Sequence, residues 1–480
     1  MHGRSYKLGM LGLAALLLVV AGLLQPSLNR QRGELGLTRI SPLENAPPVL
    51  AFTTVALGSF RGLIANALWV RASDLQEQDK YFEQVQLADW ITKLEPHFVH
   101  VWLVQAWNMA YNISVKFRGE TDRWRWVQRG IELLRDDGLR YNPREPLIYR
   151  ELAWFFQHKI GQNLDDAHLY YKYAWAQEMT NAMGGVKPDF GALTNPRTDE
   201  AAKHARLLRE GLKMDPNIMQ EVDKLYGPLE WRLPEASAIY WAHVGLQNSG
   251  EKDLLPLRRV IYQSMANTVL RGRIVRTVPS ERRQFFGPDL SKIPAAVDGY
   301  EKMIAEEKEK PDAMMRAYRN FLKEAVYLLY THNRQAEAKK WFDYLKQKMP
   351  DAVPADQSVE DFALQRMLAT LNDIDHNRTK AYIEGMLTRY FENLILDEDD
   401  AAAGFLLRAR AAWDYYESNT RLRKQALSME PFEQIHDRIL NELLDPSGGL
   451  SPEYSARLRT KLGLPPAAPA TNAIPAAPKP

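Results

Sequence analysis

The residue types that usually carry chemistry are thinly spread in this chain. Its ten histidines form no i, i+4 pair on a helical stretch, the spacing that sets two imidazoles on one helix face around a zinc ion. His97 and His100 stand three apart where a helix should begin. That spacing either brings both rings to one face for a two-histidine metal site or leaves two solvated residues at a helix start. Carboxylate pairs such as Asp165-Asp166 occur where a helix opens, and they read as caps for its exposed N–H groups. H-E-x-x-H, G-x-S-x-G, the phosphate-binding G-x-x-x-x-G-K-[ST] and G-x-G-x-x-G are all absent. There is no cysteine, which excludes disulfides, thiolate zinc sites, iron–sulfur clusters and cysteine nucleophiles. The densest charge run is basic: Arg258, Arg259, Arg271, Arg273, Arg276, Arg282 and Arg283. It reads either as an anion, glycan or phospholipid contact or as a solvated loop paired with acids. No aromatics interleave it in the manner of a single-strand nucleic-acid platform. The acidic run Asp397-Glu398-Asp399-Asp400 suits the positive end of a helix dipole and lacks the spacing and glycine of a calcium loop. These residues lead to the expectation of a non-enzyme with no metal and no cofactor.

The elements around them look helical. Beyond residue 70 apolar residues recur at three and four, β-branched runs are scarce, and strong helix formers fill the segments. At roughly 150 residues per domain, 480 residues is about three domains' worth of chain, a count that repeats would make meaningless. With 45% hydrophobic and 25% charged residues the chain is an ordinary globular mix, which rules out wholesale disorder and a polytopic membrane protein. Lys plus Arg is 62 against 60 acidic residues, so no net charge draws it to nucleic acid.

A recurring helix ending is visible: Leu94-Glu95-Pro96, Tyr141-Asn142-Pro143, Met214-Asp215-Pro216 and Met429-Glu430-Pro431, with Lys348-Met349-Pro350 as a variant. Small residues followed by leucine precede three of them: Gly138-Leu139, Gly211-Leu212 and Ala426-Leu427. Each is read as closing a helix at its proline. With these features the chain resembles the tetratricopeptide repeat, a 34-residue pair of antiparallel helices. In one window Tyr149, Leu152, Ala153 and Phe156 take the first-helix positions and Ala167, Tyr171 and Ala174 the second. In another, Leu322, Ala325, Val326 and Leu329 are followed by Ala338, Phe342 and Pro350. Residues 57–115 also resemble a segment of bacterial envelope proteins. The resemblance implies an all-α, right-handed superhelical array of hairpins. It also implies a concave groove for a protein or peptide partner, lined at Arg150, Trp154, Gln157, Lys323, Tyr327 and Tyr330, with Lys and Arg placed to hold a partner's carboxylate.

At the N-terminus Arg4 and Lys7 precede Leu8–Leu24, 17 residues without a charge and without a good cleavage site after them. This reads as a signal anchor or transmembrane helix. Arg30, Arg32 and Arg39 follow it, so the positive-inside balance is close. A short basic N-terminus favours a body on the extracytoplasmic, periplasmic side of an inner membrane. A second apolar stretch, Pro47 to Val70, carries Arg61 in its middle and is either a linker running into the first body helix or a membrane-contacting segment. The expected organisation is an anchor at 1–30, a linker and apolar segment at 31–60, repeats at 61–272, a basic loop at 273–294, further repeats at 295–463, and a disordered Pro/Ala tail at 464–480. Gly184 to Pro196 reads as an inter-repeat loop or a lid. The function expected is a non-enzymatic membrane-anchored scaffold. The alternatives are an α-helical envelope enzyme acting on a glycan, or a lipid- or glycan-handling assembly factor.

Overall fold

The computed structural model describes residues 61–78, 80–250, 254–278, 282–306, 311–369, 376–420, 429–447 and 449–466, together with a few isolated positions before residue 61. The expected span at 8–24, the linker at 31–60 and most of the Pro/Ala tail lie outside the described residues. Among those described, the protein is all-helical apart from one two-stranded hairpin. No described helix is long and apolar enough to cross a membrane. The chain forms two compact units, residues 1–151 and 152–480. The boundary falls between Glu151 and Leu152 rather than at the basic segment.

In the first unit, α1 (Arg61–Glu77) and α2 (Tyr81–Leu94) pack together across a short turn. Their contact is built on three small residues, Ala65, Ala72 and Ala88, with Ile91 filling the space between the helices. Next come α3 (Val99–Trp107), which widens into a π turn at Asn108–Ile113, and α4 (Glu120–Glu132), which widens at Leu133–Gly138 and ends at Tyr141. Buried amides link these helices: Asn108 Nδ2 donates to Gln84 Oε1 at 2.7 Å, and Asn112 Nδ2 donates to Asn108 Oδ1 at 2.6 Å. Two of the proline stops also meet. The Pro96 carbonyl accepts both Trp102 Nε1 and Asn142 Nδ2, each at 2.8 Å. Helix α5 (Pro146–Trp154) crosses the boundary and continues as a π turn, Phe155–Ile160.

The second unit runs through α6 (His168–Met183), α7 (Asp199–Arg206, widening at Leu207–Gly211), α8 (Pro216–Tyr226), α9 (Pro234–Asn248) and α10 (Leu255–Arg271). Gly184 ends α6 at φ +74°, where its lack of a Cβ is needed, and the N–H of Gly185 reaches the Thr180 carbonyl at 3.0 Å. The stretch after it, read as loop or lid, holds a short helix at Phe190–Thr194 capped by Asp189. Pro216 is the first residue of α8 and Pro431 directly precedes α17. These two prolines therefore open helices rather than close them, as suits a residue that lacks an N–H and has φ already set.

Residues 273–294, expected as a basic loop, hold an antiparallel hairpin of β1 (Arg273–Val278) and β2 (Arg283–Gly287), paired from Arg273↔Gly287 to Val278↔Arg283 with a bulge after Ile274. Between the arginines lie Ile274, Val275, Thr277 and Phe286, residue types that favour strands; the charges masked that pattern. After the hairpin come α11 (Ile293–Glu306), α12 (Pro311–Thr331), α13 (Gln335–Lys348), α14 (Val359–Ala369), α15 (His376–Ile395), α16 (Asp399–Thr420), α17 (Phe432–Leu444) and α18 (Pro452–Lys461). Chain neighbours pack on one another: α9 on α10, α12 on α13, and α15 on α16 most extensively. The final core joins Ile383, Leu387 and Phe391 of α15 to Ala409 and Ala412 of α16, Ile435 of α17 and Leu458 of α18. Gly404 of α16 lies directly against the Thr331 carbonyl at the end of α12, with no space for a Cβ.

Candidate functional site

The repeat positions proposed from sequence are core positions. Leu152, Ala153, Phe156 and Tyr171 in the first window are buried, as are Leu322, Ala325, Val326, Leu329, Ala338 and Phe342 in the second. Ala174 is only half-buried; Trp175 and Ala176 beside it carry the packing.

The six expected groove residues separate. Arg150 Nη1 is bound to Glu151 Oε2 at 2.8 Å. Burial pushes the Glu151 carboxyl up, and the Arg150 charge opposes this. Trp154 stacks on His158 with ring centroids 4.4 Å apart. Gln157 is only 3% exposed, and its amide is used inside the unit, donating to the Val260 carbonyl at 3.1 Å and to Ser264 Oγ at 2.9 Å. It faces the core rather than a groove, because a π turn begins at Phe155 and offsets the helical register on which the expectation relied. Lys323, Tyr327 and Tyr330 share one face of α12 at i, i+4 and i+7, and all are half-buried.

The structure brings Tyr327 and Tyr330 together in a cavity of about 300 Å³ between α12, α14 and α16. Leu364 and Met367 from α14 and Leu407 and Ala411 from α16 form its apolar surface. Its edge carries Glu360, Asp361 and Asp414 against Arg408 and Arg410. Arg410 is already bound to Glu433 at 2.6 Å and lies 4.0 Å from the Phe432 ring centroid. Glu360 and Asp414 reach no cation at ion-pairing distance among the described residues. Ser358 fixes this end of α14: its Oγ accepts the Asp361 N–H at 3.0 Å and donates to Asp361 Oδ2 at 2.8 Å. Arg366 is tied to Glu324 and lies 5.6 Å from the Tyr327 ring centroid, holding the tyrosine wall in place. Burial and the Glu360 charge push the Tyr330 phenol up, so it remains a neutral donor. The cavity therefore accepts an apolar group and offers acceptors to a cation beside it, the reverse of a carboxylate clamp. Lys323 does not line it.

Sequence reasoning found the tyrosines and missed the acids. The pattern Ser358-x-x-Asp361 before an apolar run marks a helix start, but nothing local joins it to Asp414, more than fifty residues on.

The other expected chemistry does not assemble. His97 Nδ1 lies 3.4 Å from Asn142 Oδ1, whereas His100 is exposed. Among the described residues no three His, Asp or Glu side chains gather as a metal site. Three of the seven arginines of the basic run are paired with acids: Arg271 Nε binds Glu235 at 2.8 Å, Arg258 binds Glu306 at 3.5 Å, and Arg273 grips Glu398 with two bonds at 2.6 and 2.7 Å. Comparison with protein-family models, curated proteins and solved structures finds no match.

Proposed function

We propose that this protein is a non-enzymatic, membrane-anchored scaffold of stacked tetratricopeptide-like hairpins. Its second unit receives a partner protein's segment in which an apolar residue stands beside a basic one. The anchor is assigned to residues 8–24, and the body to the extracytoplasmic, periplasmic side of the inner membrane. Burial of the repeat positions and packing between chain neighbours support the stacked-hairpin reading. The observation that carries the partner assignment is the cavity beside Tyr327 and Tyr330, with an apolar surface and the carboxylates of Glu360 and Asp414, which pair with no cation among the described residues.

The test uses the full chain in nanodiscs and two short amidated peptides, one alternating leucine with lysine and one alternating leucine with glutamate. Fluorescence anisotropy should show the lysine peptide bound and the glutamate peptide not. Two solvent-exposed ion pairs at about 0.2–1 kcal/mol each set the expected effect. Glu360→Gln combined with Asp414→Asn should therefore weaken the lysine peptide by between about two- and thirty-fold and flatten its salt dependence. Equal affinity for both peptides, or a double variant that binds like the wild type, would remove this assignment.

A further inference from the structure

We propose that a second cavity of the same unit binds a single-chain amphiphilic carboxylate, its headgroup held by Arg389 and Arg408. The cavity measures about 550 Å³ and lies between the β-hairpin, the C-terminal ends of α10, α12 and α15, and the start of α16. That volume falls in the range of roughly 300–1,000 Å³ typical of small-molecule sites. Leu270, Val275, Phe286, Leu328, Leu396 and Phe405 supply an apolar lining.

The charges single out an anion. Both guanidiniums attend the same ring: Arg408 Cζ is 4.2 Å and Arg389 Cζ 5.8 Å from the Phe405 centroid. Neither reaches a carboxylate at ion-pairing distance among the described residues. Arg408 Nε makes only a long bond of 3.4 Å to the Gly404 carbonyl. The third guanidinium, Arg273, is fully used by Glu398. The one remaining acid, Glu392, stands on α15 three residues after Arg389, beyond ion-pairing distance; desolvation raises its carboxyl and the Arg389 charge opposes this. His332 also lines the cavity with its Nδ1 on the Leu328 carbonyl at 2.8 Å; burial lowers its basicity, so at neutral pH it adds no charge. Two cations thus stand against one acid at the cavity wall, with Arg408 half-buried and Arg389 and Glu392 exposed at its mouth. A neutral or cationic occupant would cover the half-buried Arg408 guanidinium and give neither arginine a counter-charge. A carboxylate supplies charge-assisted hydrogen bonds to their N–H groups while its chain covers the apolar wall. The inference does not rest on the peptide reading, which concerns a neighbouring cavity that shares only Thr331 and Arg408 with this one.

Decanoate is the probe, measured by calorimetry on the full chain in nanodiscs, with empty nanodiscs subtracted for partitioning. Decanol and decyltrimethylammonium are the matched neutral and cationic chains. One-site decanoate binding at least tenfold tighter than either is the expected result. Arg389→Gln should weaken decanoate at least tenfold and leave decanol unchanged. Arg408 also borders the peptide cavity and packs on Phe405, so Arg389 is the deciding position. Val275→Trp, which fills the cavity without touching a charge, should abolish binding of both chains. Glu360→Gln with Asp414→Asn should leave decanoate untouched, so the two sites fail separately. Absence of decanoate binding, equal affinity for decanol, or an Arg389→Gln variant that binds like the wild type would each overturn the proposal.

Discussion

Single residues carry the least expected feature of the second unit, a set of buried charges. Lys159 and Lys172 are 2% and 4% exposed. Lys159 Nζ is held by Asp165 Oδ2 at 2.8 Å, while the other Asp165 oxygen accepts the Ala167 N–H at 2.9 Å. The sequence reading of Asp165 as a helix cap is corrected: Ala167 is the N-cap of α6 and receives no side-chain cap bond, and Asp165 instead braces the turn before the helix and holds Lys159. That role depends on how the chain turns between α5 and α6, which no residue pattern states. Lys172 Nζ is surrounded by the Gln162 carbonyl, Asn163 Oδ1 and His168 Nδ1, with no carboxylate on it. Burial, and then the Arg271 charge, brings its pKa down to about 8. Between that value and the ordinary 10.5 the unfolded chain holds a proton that the folded chain has shed. Stability therefore rises with pH across this window, whereas at pH 7 folding bears the full cost of burying an ammonium. Thermal unfolding at pH 7 and pH 9.5 should show the wild type gaining about 2 kcal/mol more than Lys172→Met, from roughly 1.4 kcal/mol per pH unit above 8. Equal gains in the two proteins would mean that Lys172 titrates normally.

At the scale of elements, legibility followed side-chain size and period. The apolar positions of α12 and α13 are buried where the three-and-four helical spacing put them, because a helix has only one face to give to its neighbours. The β-hairpin stayed hidden because its strands are short and interrupted by arginine. The π turns were also unreadable, since one extra backbone residue per turn leaves no mark in composition. Closeness between helices was equally invisible, and two glycines show why. Gly404 and Gly385 look alike in sequence, each inside a helix. Gly404 abuts the Thr331 carbonyl, whereas a Cβ at Gly385 would meet nothing within 4 Å. Gly404→Ala should force α12 and α16 apart at a cost of about 2–3 kcal/mol. Gly385→Ala should raise stability by about 0.5–1 kcal/mol through helix propensity alone. Thermal melts of the two variants should move in opposite directions; a neutral Gly404→Ala would mean that α16 can slide without loss.

For the whole molecule, composition and period reveal an all-α body, but the proposed side of a membrane depends on residues outside the body helices. The anchor assignment rests on Leu8–Leu24, and the orientation on a narrow balance of Arg4 and Lys7 before that segment against Arg30, Arg32 and Arg39 after it. The proposed peptide site constrains the problem indirectly: an occupant of the proposed apolar and cationic kind must be present on the side where the body stands. We propose that the short basic N-terminus stays cytoplasmic and the body is exported. Reporter fusions after Arg32 and after Leu464 separate the possibilities. An extracytoplasmic signal from both is the expected outcome, and it would place basic peptides of envelope proteins among the occupants of the Tyr327–Tyr330 cavity. A cytoplasmic signal from both would overturn the orientation and require either an inverted anchor or a second crossing within Pro47–Val70, where Arg61 would cost about 2.5–3.5 kcal/mol at the membrane centre. Replacing Arg61 by leucine sharpens the test. With a single crossing the signal after Leu464 is unchanged, whereas a marginal second crossing, relieved of that charge, should increase the cytoplasmic fraction.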